Sequence, residues 1–228
     1  MKRETKEKQY GVVFDVAETH GITQLGLMIN ESWNQDPKRT LFTLARYKFV
    51  AKMLAGSSHV LEVGCADAFG TRLVQQSVAK VTAIDFDPVF IQDANDRHDP
   101  AWPMNYLVHD MLYGPVPGKF NAIYCLDVLE HIAPEHEQVF ILNMLESLTD
   151  TGVVIVGMPS LESQAYASPQ SKDGHVNCKS GPVLKALFQE YFHNVFLFSM
   201  NDEVVHTGFS SMAHYVIVLC CGKKSICL

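Results

Sequence analysis

The chain has 228 residues, 47% of them hydrophobic, 19% charged and 10% aromatic, and Lys+Arg 18 against Asp+Glu 25 gives a net charge of −7. That length fits one domain with room for a small lid, and the apolar fraction is too high for a disordered chain. The acidic balance lacks the broad attraction for phosphate backbones on which non-specific nucleic-acid binders rely, so a nucleic-acid partner is not favoured.

Residues 1–36 read as a charged tail followed by a candidate lid, because 10–36 mix apolar and polar residues without a clear period. From Asp36-Pro37 a helix is predicted: Leu41, Leu44, Ala45, Lys48, Phe49 and Met53 recur at three- and four-residue steps, and Gly56 follows as a stop. His59–Gly64 is a short apolar run ending in glycine, a buried strand. Leu73, Val74 and Val78 mark the next helix, and Val81–Ile84 is a second strand ending at Asp85. Asp87-Pro88 opens a helix over Val89–Asn95, with proline in its first turn.

The alternation continues with a short strand Asn105–Val108 before His109-Asp110, and another over Phe120–Leu126. Pro134, Glu135 and Glu137 open a helix with apolar positions at Ile141, Leu145 and Leu148, the early acids suiting its positive end. Val153–Val156 is a strand, Leu184, Leu187, Phe188 and Tyr191 mark a helix, and Asn194–Ser199 and His214–Cys220 are two final strands. Short β-branched runs alternating with helical patterns predict an α/β fold: a doubly wound, mainly parallel, seven-stranded sheet closed by a C-terminal antiparallel hairpin. In such sheets ligands bind at the carboxyl ends of the strands, near the switch point.

The strand ends carry the chemistry. Gly64 follows the first strand directly and lets a ligand approach the backbone. Asp85 stands 21 residues later at the end of the second strand, placed to accept the ribose hydroxyls of an adenosine. A dinucleotide needs glycine at relative positions 1, 3 and 6, and from Gly64 those places hold Ala66 and Phe69. Glu62, two residues before Gly64, would repel a pyrophosphate but suits the ammonium of a methionine moiety. An adenosyl-sulfonium cofactor is therefore favoured over NAD.

The run Glu62–Gly70 with Asp85, Asp110 and Asp127 at successive strand ends resembles the class I S-adenosylmethionine-dependent methyltransferases. The resemblance covers roughly residues 58–160 by motif and implies a Rossmann-like methyltransferase domain over 37–228, with a second candidate lid at 160–182. It implies S-adenosylmethionine as cofactor, bound by Glu62, Gly64, Cys65, Ala66, Asp85, Phe86, Asp110, Met111 and Leu126, with Phe86 packing on adenine and Asp110 on its amino group. The sequence departs from the family pattern at Ala66 and Ala68, where the family has glycines.

Leu126–Ile132 resembles the Glu-His segment of the ubiquinone-biosynthesis O-methyltransferases and of the small-RNA 2′-O-methyltransferases, which faces the transferred methyl and in some of them binds a divalent metal. Methyl transfer is an in-line displacement in which positioning supplies much of the rate. A hydroxyl acceptor must also lose a proton. The expected catalytic residues are His131 as base, with Glu130 and Asp127. A metal held by Asp127, Glu130, His131 and His175 is the less favoured alternative. Tyr10, Trp33, Arg46 and Tyr166 are candidates to line the acceptor pocket, and nothing in the spacing selects among them. The Phe192–Phe198 aromatic run reads as strand packing, and Asp36–Arg39 as a helix start rather than a phosphate clamp.

Six cysteines, Cys65, Cys125, Cys178, Cys220, Cys221 and Cys227, form no CxxC pair, and Cys65 and Cys125 lie in apolar runs, which suggests a reducing compartment. The charged start Met1–Lys8 is followed by no secretory apolar region, and Cys227 lies one place before the terminus rather than where prenylation needs it. The expected protein is cytoplasmic, has no membrane partner, and O-methylates a small molecule or glycan; a homodimer is left open. The alternatives are an RNA 2′-O-methyltransferase with metal assistance, an NAD-type oxidoreductase and a non-catalytic cofactor-binding partner subunit.

Overall fold

The computed structural model describes residues 5–225; Met1–Glu4 and Ile226–Leu228, with part of the charged start and Cys227, lie outside the described residues. Eight strands form one sheet: β1 (Val60–Val63), β2 (Val81–Asp85), β3 (Asn105–Val108), β4 (Phe120–Leu126), β5 (Leu148–Pro159), β6 (Phe192–Asn201), β7 (Val204–His206) and β8 (Tyr215–Lys223). Their order is β3-β2-β1-β4-β5-β8-β6-β7. The pairs among β1 to β5 are parallel, and β8 runs antiparallel to both β5 and β6.

The helices are α1 (Val12–His20), α2 (Leu27–Gln35), α3 (Pro37–Met53), α4 (Thr71–Gln75), α5 (Pro88–Asp96), α6 (Pro134–Ser147), α7 (Pro169–Gly174) and α8 (Gly181–Gln189). Asp36 caps α3 by accepting from the Lys38 amide at 3.2 Å, and Asp87 caps α5 by accepting from Val89 at 2.8 Å, each followed by proline in the first turn. Both starts follow from sequence, since the side-chain oxygen satisfies an amide the helix leaves open and proline needs none.

Period-two alternation divides the core between the two faces of the sheet. Leu61, Val63, Ile123, Cys125, Val154 and Val156 pack with Ile141, Leu145, Leu184 and Phe188 of α6 and α8. Val60, Ala122, Tyr124 and Ile155 pack on the other face with Val50 of α3, Leu54 just beyond its end and Val74 of α4. The chain steps outward from β1 to β3 and then returns to place β4 on the opposite side of β1. The loops after β1 and β4 therefore open beside each other, where a crevice forms.

The sheet has eight strands rather than seven. The additional β7 is a three-residue edge ribbon pairing Ser199–Asn201 with Val204–His206, too short to leave a hydrophobic period in the sequence. Leu148, expected in a helix, instead opens β5 opposite Phe120, next to a shift in register between β4 and β5. The expected lid over 10–36 is largely helical, forming α1 and α2. Val78 and Tyr191 fall beyond the ends of α4 and α8. The Phe192–Phe198 run is part of β6.

The crossing of the two loops has a steric consequence at Gly64, whose φ of +75° is a left-handed conformation and whose added Cβ would sit 2.2 Å from Val128 Cγ2. Gly64→Ala should therefore destabilise the fold by more than about 2 kcal/mol. Adding Val128→Ala should recover part of that loss in a chemical-denaturation double-mutant cycle. Additive losses would show that the clash plays no part.

Candidate active site

Glu62 lies in β1 and is 1% exposed. Its carboxyl group accepts from the hydroxyls of Tyr47 at 2.8 Å, Thr71 at 2.5 Å and Tyr124 at 2.7 Å. One side chain thus ties α3, the first residue of α4 and β4 together under the glycine turn. Burial pushes its pKa up to about 7, against the opposing effect of the three hydroxyl donors. The sequence marked Glu62 but none of its partners, since they arrive from three separate elements. A glycine did carry a trace of them: a Cβ on Gly70 would lie 2.3 Å from the Tyr47 ring, so Gly70 is what admits Tyr47.

Above Glu62 the turn runs through Ala66 (φ +44°) and Ala68 (φ +53°), both in the left-handed region. The chain thus keeps the path expected of glycines at the two positions where it carries alanine, at a strain of about 1–2 kcal/mol each. Between them Asp67 accepts from the amides of Phe69 at 3.1 Å and Ile29 at 2.9 Å. The second bond docks α2 onto the turn. Leu27 adds a bond to Asp93 at 3.2 Å, and Arg97 bridges Asp93 and the Asp67 carbonyl. Gly26 leaves no room for a side chain against Asp67.

Asp85, at the end of β2, is buried and faces the same turn: one carboxylate oxygen accepts from the Ala66 amide at 2.8 Å, the other from Asp87 at 2.9 Å. Burial raises its pKa. The neighbouring Phe86 is 71% exposed, a large apolar ring in water beside the crevice. Cys65, Met111 and Leu126 are buried, and burial pushes the Cys65 thiol far up, leaving it inert. Asp110 accepts from the Leu112 amide at 2.8 Å, closing the loop after β3.

The other wall follows β4. Asp127 holds a left-handed φ of +57° and pairs with Arg46 of α3 at 2.6 Å. Arg46 also stacks on the Tyr215 ring, 3.8 Å from its centroid. Burial opposes the Arg46 charge, but Asp127 and Tyr215 outweigh it and its pKa is raised. Arg46 was one of four pocket candidates in the sequence, and only the fold brings it to Asp127. Of the others, Tyr10, Trp33 and Tyr166 are exposed. Glu130 is fully buried, and burial with the Asp127 charge raises its pKa well above the usual carboxylate range. His131 and His175, from β4's loop and the 160–182 segment, meet with ring centroids 5.1 Å apart. His175 is lowered, first by burial and then by His131.

This geometry, a glycine turn facing an acid at the end of β2 with a second acid beyond β4, agrees with comparisons to known proteins. Residues 60–152 match a family profile described as a methyltransferase domain. Over that segment the chain is thus similar to a methyltransferase domain. Ubiquinone biosynthesis O-methyltransferase of Xanthomonas campestris pv. campestris (strain B100) is 29% identical over 118 residues, 49% of each chain. The chain thus spans about half the length of the curated relatives it matches. The N-methyltransferase NodS of Bradyrhizobium japonicum WM9, solved with S-adenosyl-L-homocysteine, superposes with a TM-score of 0.62 at 18% identity, over 83% of this chain and 90% of that one. The plantazolicin methyltransferase BpumL, also solved with S-adenosylhomocysteine, gives a TM-score of 0.65 at 13% identity, over 85% and 88%. At these identities the two superpositions establish the fold. Among the described residues no helix is long and apolar enough to cross a membrane, and five cysteines are free thiols.

The raised pKa of Glu62 makes stability depend on pH. The folded chain binds a proton that the unfolded chain releases near pH 4.5, so stability is full below that value and falls as pH rises towards about 7. Glu62→Gln, which cannot titrate, should flatten this fall in denaturant-unfolding series from pH 5 to 8. An unchanged slope would place the titrating group elsewhere.

Proposed function

We propose that the chain transfers the methyl group of S-adenosylmethionine to an oxygen of a small-molecule acceptor, in the crevice between the loops after β1 and β4. The observation that carries this reading is Asp85: a buried carboxylate at the end of β2, aimed at the left-handed turn after β1 and flanked by the exposed Phe86. In the proposed complex Asp85 accepts from both ribose hydroxyls and Phe86 covers adenine. Asp110 and Met111 hold the base edge, Gly64 to Ala66 and Leu126 border the methionine moiety, and Glu62 lies beneath its ammonium.

The acceptor oxygen approaches from the Asp127–His131 side. Its lone pair forms the new O–C bond while the C–S electron pair returns to sulfur, leaving S-adenosylhomocysteine. His131 suits the role of proton acceptor: its Nδ1 lies 2.9 Å from the Gly174 carbonyl and must donate to it, so the lone pair is on Nε2. Arg46 fixes Asp127 and closes the acceptor side. Oxygen as the accepting atom is supported by the relatives named O-methyltransferases and by the resemblance of the Glu130-His131 segment to theirs. Free thiols throughout the described residues fit a reducing, cytoplasmic setting.

Calorimetry with S-adenosylmethionine tests the reading. Asp85→Ala should weaken binding at least tenfold. Phe86→Ala, at an exposed position that costs no packing, should weaken it several-fold without lowering the melting temperature. Binding of NAD in place of S-adenosylmethionine, or unchanged affinity in both variants, would overturn it. A cationic ligand above Glu62 favours its ionised form, so affinity should tighten as pH rises from 6 to 8 and this dependence should vanish in Glu62→Gln.

A further inference from the structure

We propose that the methyl acceptor carries a carboxylate as well as its reacting oxygen, and that the free edge of the Arg46 guanidinium and the Tyr215 hydroxyl bind it. The inference rests on the methyl-transfer reading for the word acceptor, but carboxylate binding is measurable by itself. Its first observation is what Arg46 leaves unused. A guanidinium is a planar fork of N–H donors. Asp127 takes Nη1 alone, at 2.6 Å. Among the described residues that is the only side-chain hydrogen bond Arg46 makes, and its Nε is buried without a partner. The edge formed by Nε and Nη2 therefore presents two parallel N–H groups, the arrangement a carboxylate meets with both oxygens.

The ring stacked on that guanidinium supplies another donor. Tyr215 is 0% exposed, yet its hydroxyl has no partner. A Cβ on Gly157 would stand 2.8 Å from this hydroxyl and 2.9 Å from Leu126 Cδ2. The hydroxyl thus lies over β5 against the last residue of β4, at the strand ends bordering the acceptor side, and Gly157 is what admits it. The Gly157 carbonyl accepts from the Asp127 amide at 3.0 Å, which fixes this corner to the residue that holds Arg46. His214 adds to the set. Its Nδ1 accepts from the Asp202 amide at 3.4 Å, so its proton is on Nε2, a further buried donor with no acceptor. Burial and then the Arg46 charge lower the His214 pKa and keep that ring neutral.

Donors without acceptors define the group that answers them. A carboxylate donates nothing and offers lone pairs on two oxygens, enough for the fork and for Tyr215. A neutral carbonyl or hydroxyl brings one oxygen and does not span both N–H groups. A phosphate brings a second negative charge close to Asp127, which repels it. The way in is past Asp127, whose side chain is 37% exposed against 14% for Arg46. With a carboxylate on the free edge, Asp127 keeps Nη1 and the acceptor's hydroxyl extends towards His131, further along the same loop. Arg46 then selects and positions the acceptor and takes no part in the proton transfer.

Glycolate, the smallest acid with both a carboxylate and a hydroxyl, is the probe, added at constant ionic strength with and without S-adenosylmethionine. In the magnetic resonance spectrum of isotope-labelled full-length protein, the Arg46 Nε–H signal should shift and saturate with glycolate and stay in place with ethylene glycol. Arg46→Lys keeps the charge but loses the fork, and should weaken glycolate roughly tenfold. Tyr215→Phe removes a hydroxyl that has no partner, so it should weaken glycolate several-fold without lowering the melting temperature. The second variant decides the matter if the first does not fold. No saturable shift at Arg46, tighter binding of phosphate than of glycolate, or equal glycolate affinity in Tyr215→Phe would overturn the proposal. S-Adenosylmethionine binding without a glycolate response would remove this inference alone; a glycolate response without S-adenosylmethionine binding would remove the methyl-transfer reading and leave the carboxylate site.

Discussion

A single buried carboxyl group holds the glycine-turn side of the crevice together. Glu62 stands in the middle of the sheet and receives hydroxyls from α3, α4 and β4. The three hydroxyls reduce the cost of keeping this acid in the core, but burial outweighs them and holds its pKa up at about 7. The turn from Gly64 to Gly70 is built over that anchor. Its left-handed residues, its contact with Tyr47 and its opening towards Asp85 follow from where Glu62 fixes α3 and the start of α4.

The two sides of the crevice are organised differently. On the turn side the polar groups are mutually satisfied: Asp85 by amides, Asp67 by α2, Glu62 by hydroxyls. On the far side Asp127 is satisfied by Arg46, while the oxygens of Glu130, Nε of Arg46, Nε2 of His214 and the Tyr215 hydroxyl have no partner. Unsatisfied buried polar atoms are rare in folded proteins because each carries a desolvation cost. Their concentration on one side separates a region complete in itself from one arranged for something else to enter.

The N-terminal segment belongs to this organisation. α2 meets the turn through its own amides on Asp67 and Asp93 rather than through an apolar face, and among the residues of α1 and α2 only Ile29 is buried. A helix attached by a few hydrogen bonds separates from its support more easily than one seated in a core. The segment beside the glycine turn thus buries little of its own surface.

Much of the fold was legible in the sequence. The alternation of β-branched runs with capped helices determined the parallel sheet, because strands buried on both faces must be continuously apolar and Asp-Pro starts need only local bonds. The strand-end residues Glu62, Gly64, Asp85, Asp110 and Asp127 were also legible, since chain order alone puts them at one edge. The short β7 and the start of β5 at Leu148 were not, as edge pairing and register depend on neighbours far along the chain. Nor were the partners: Tyr47, Thr71 and Tyr124 around Glu62, Arg46 against Asp127, and the closure of His175 on Glu130 and His131 join residues separated by up to 81 positions. The sequence by itself determined which residue types stand at the mouth of the sheet. Tertiary structure alone decided which of their charges are answered and which are left open, because burial and hydrogen-bond partnership exist only once distant elements pack.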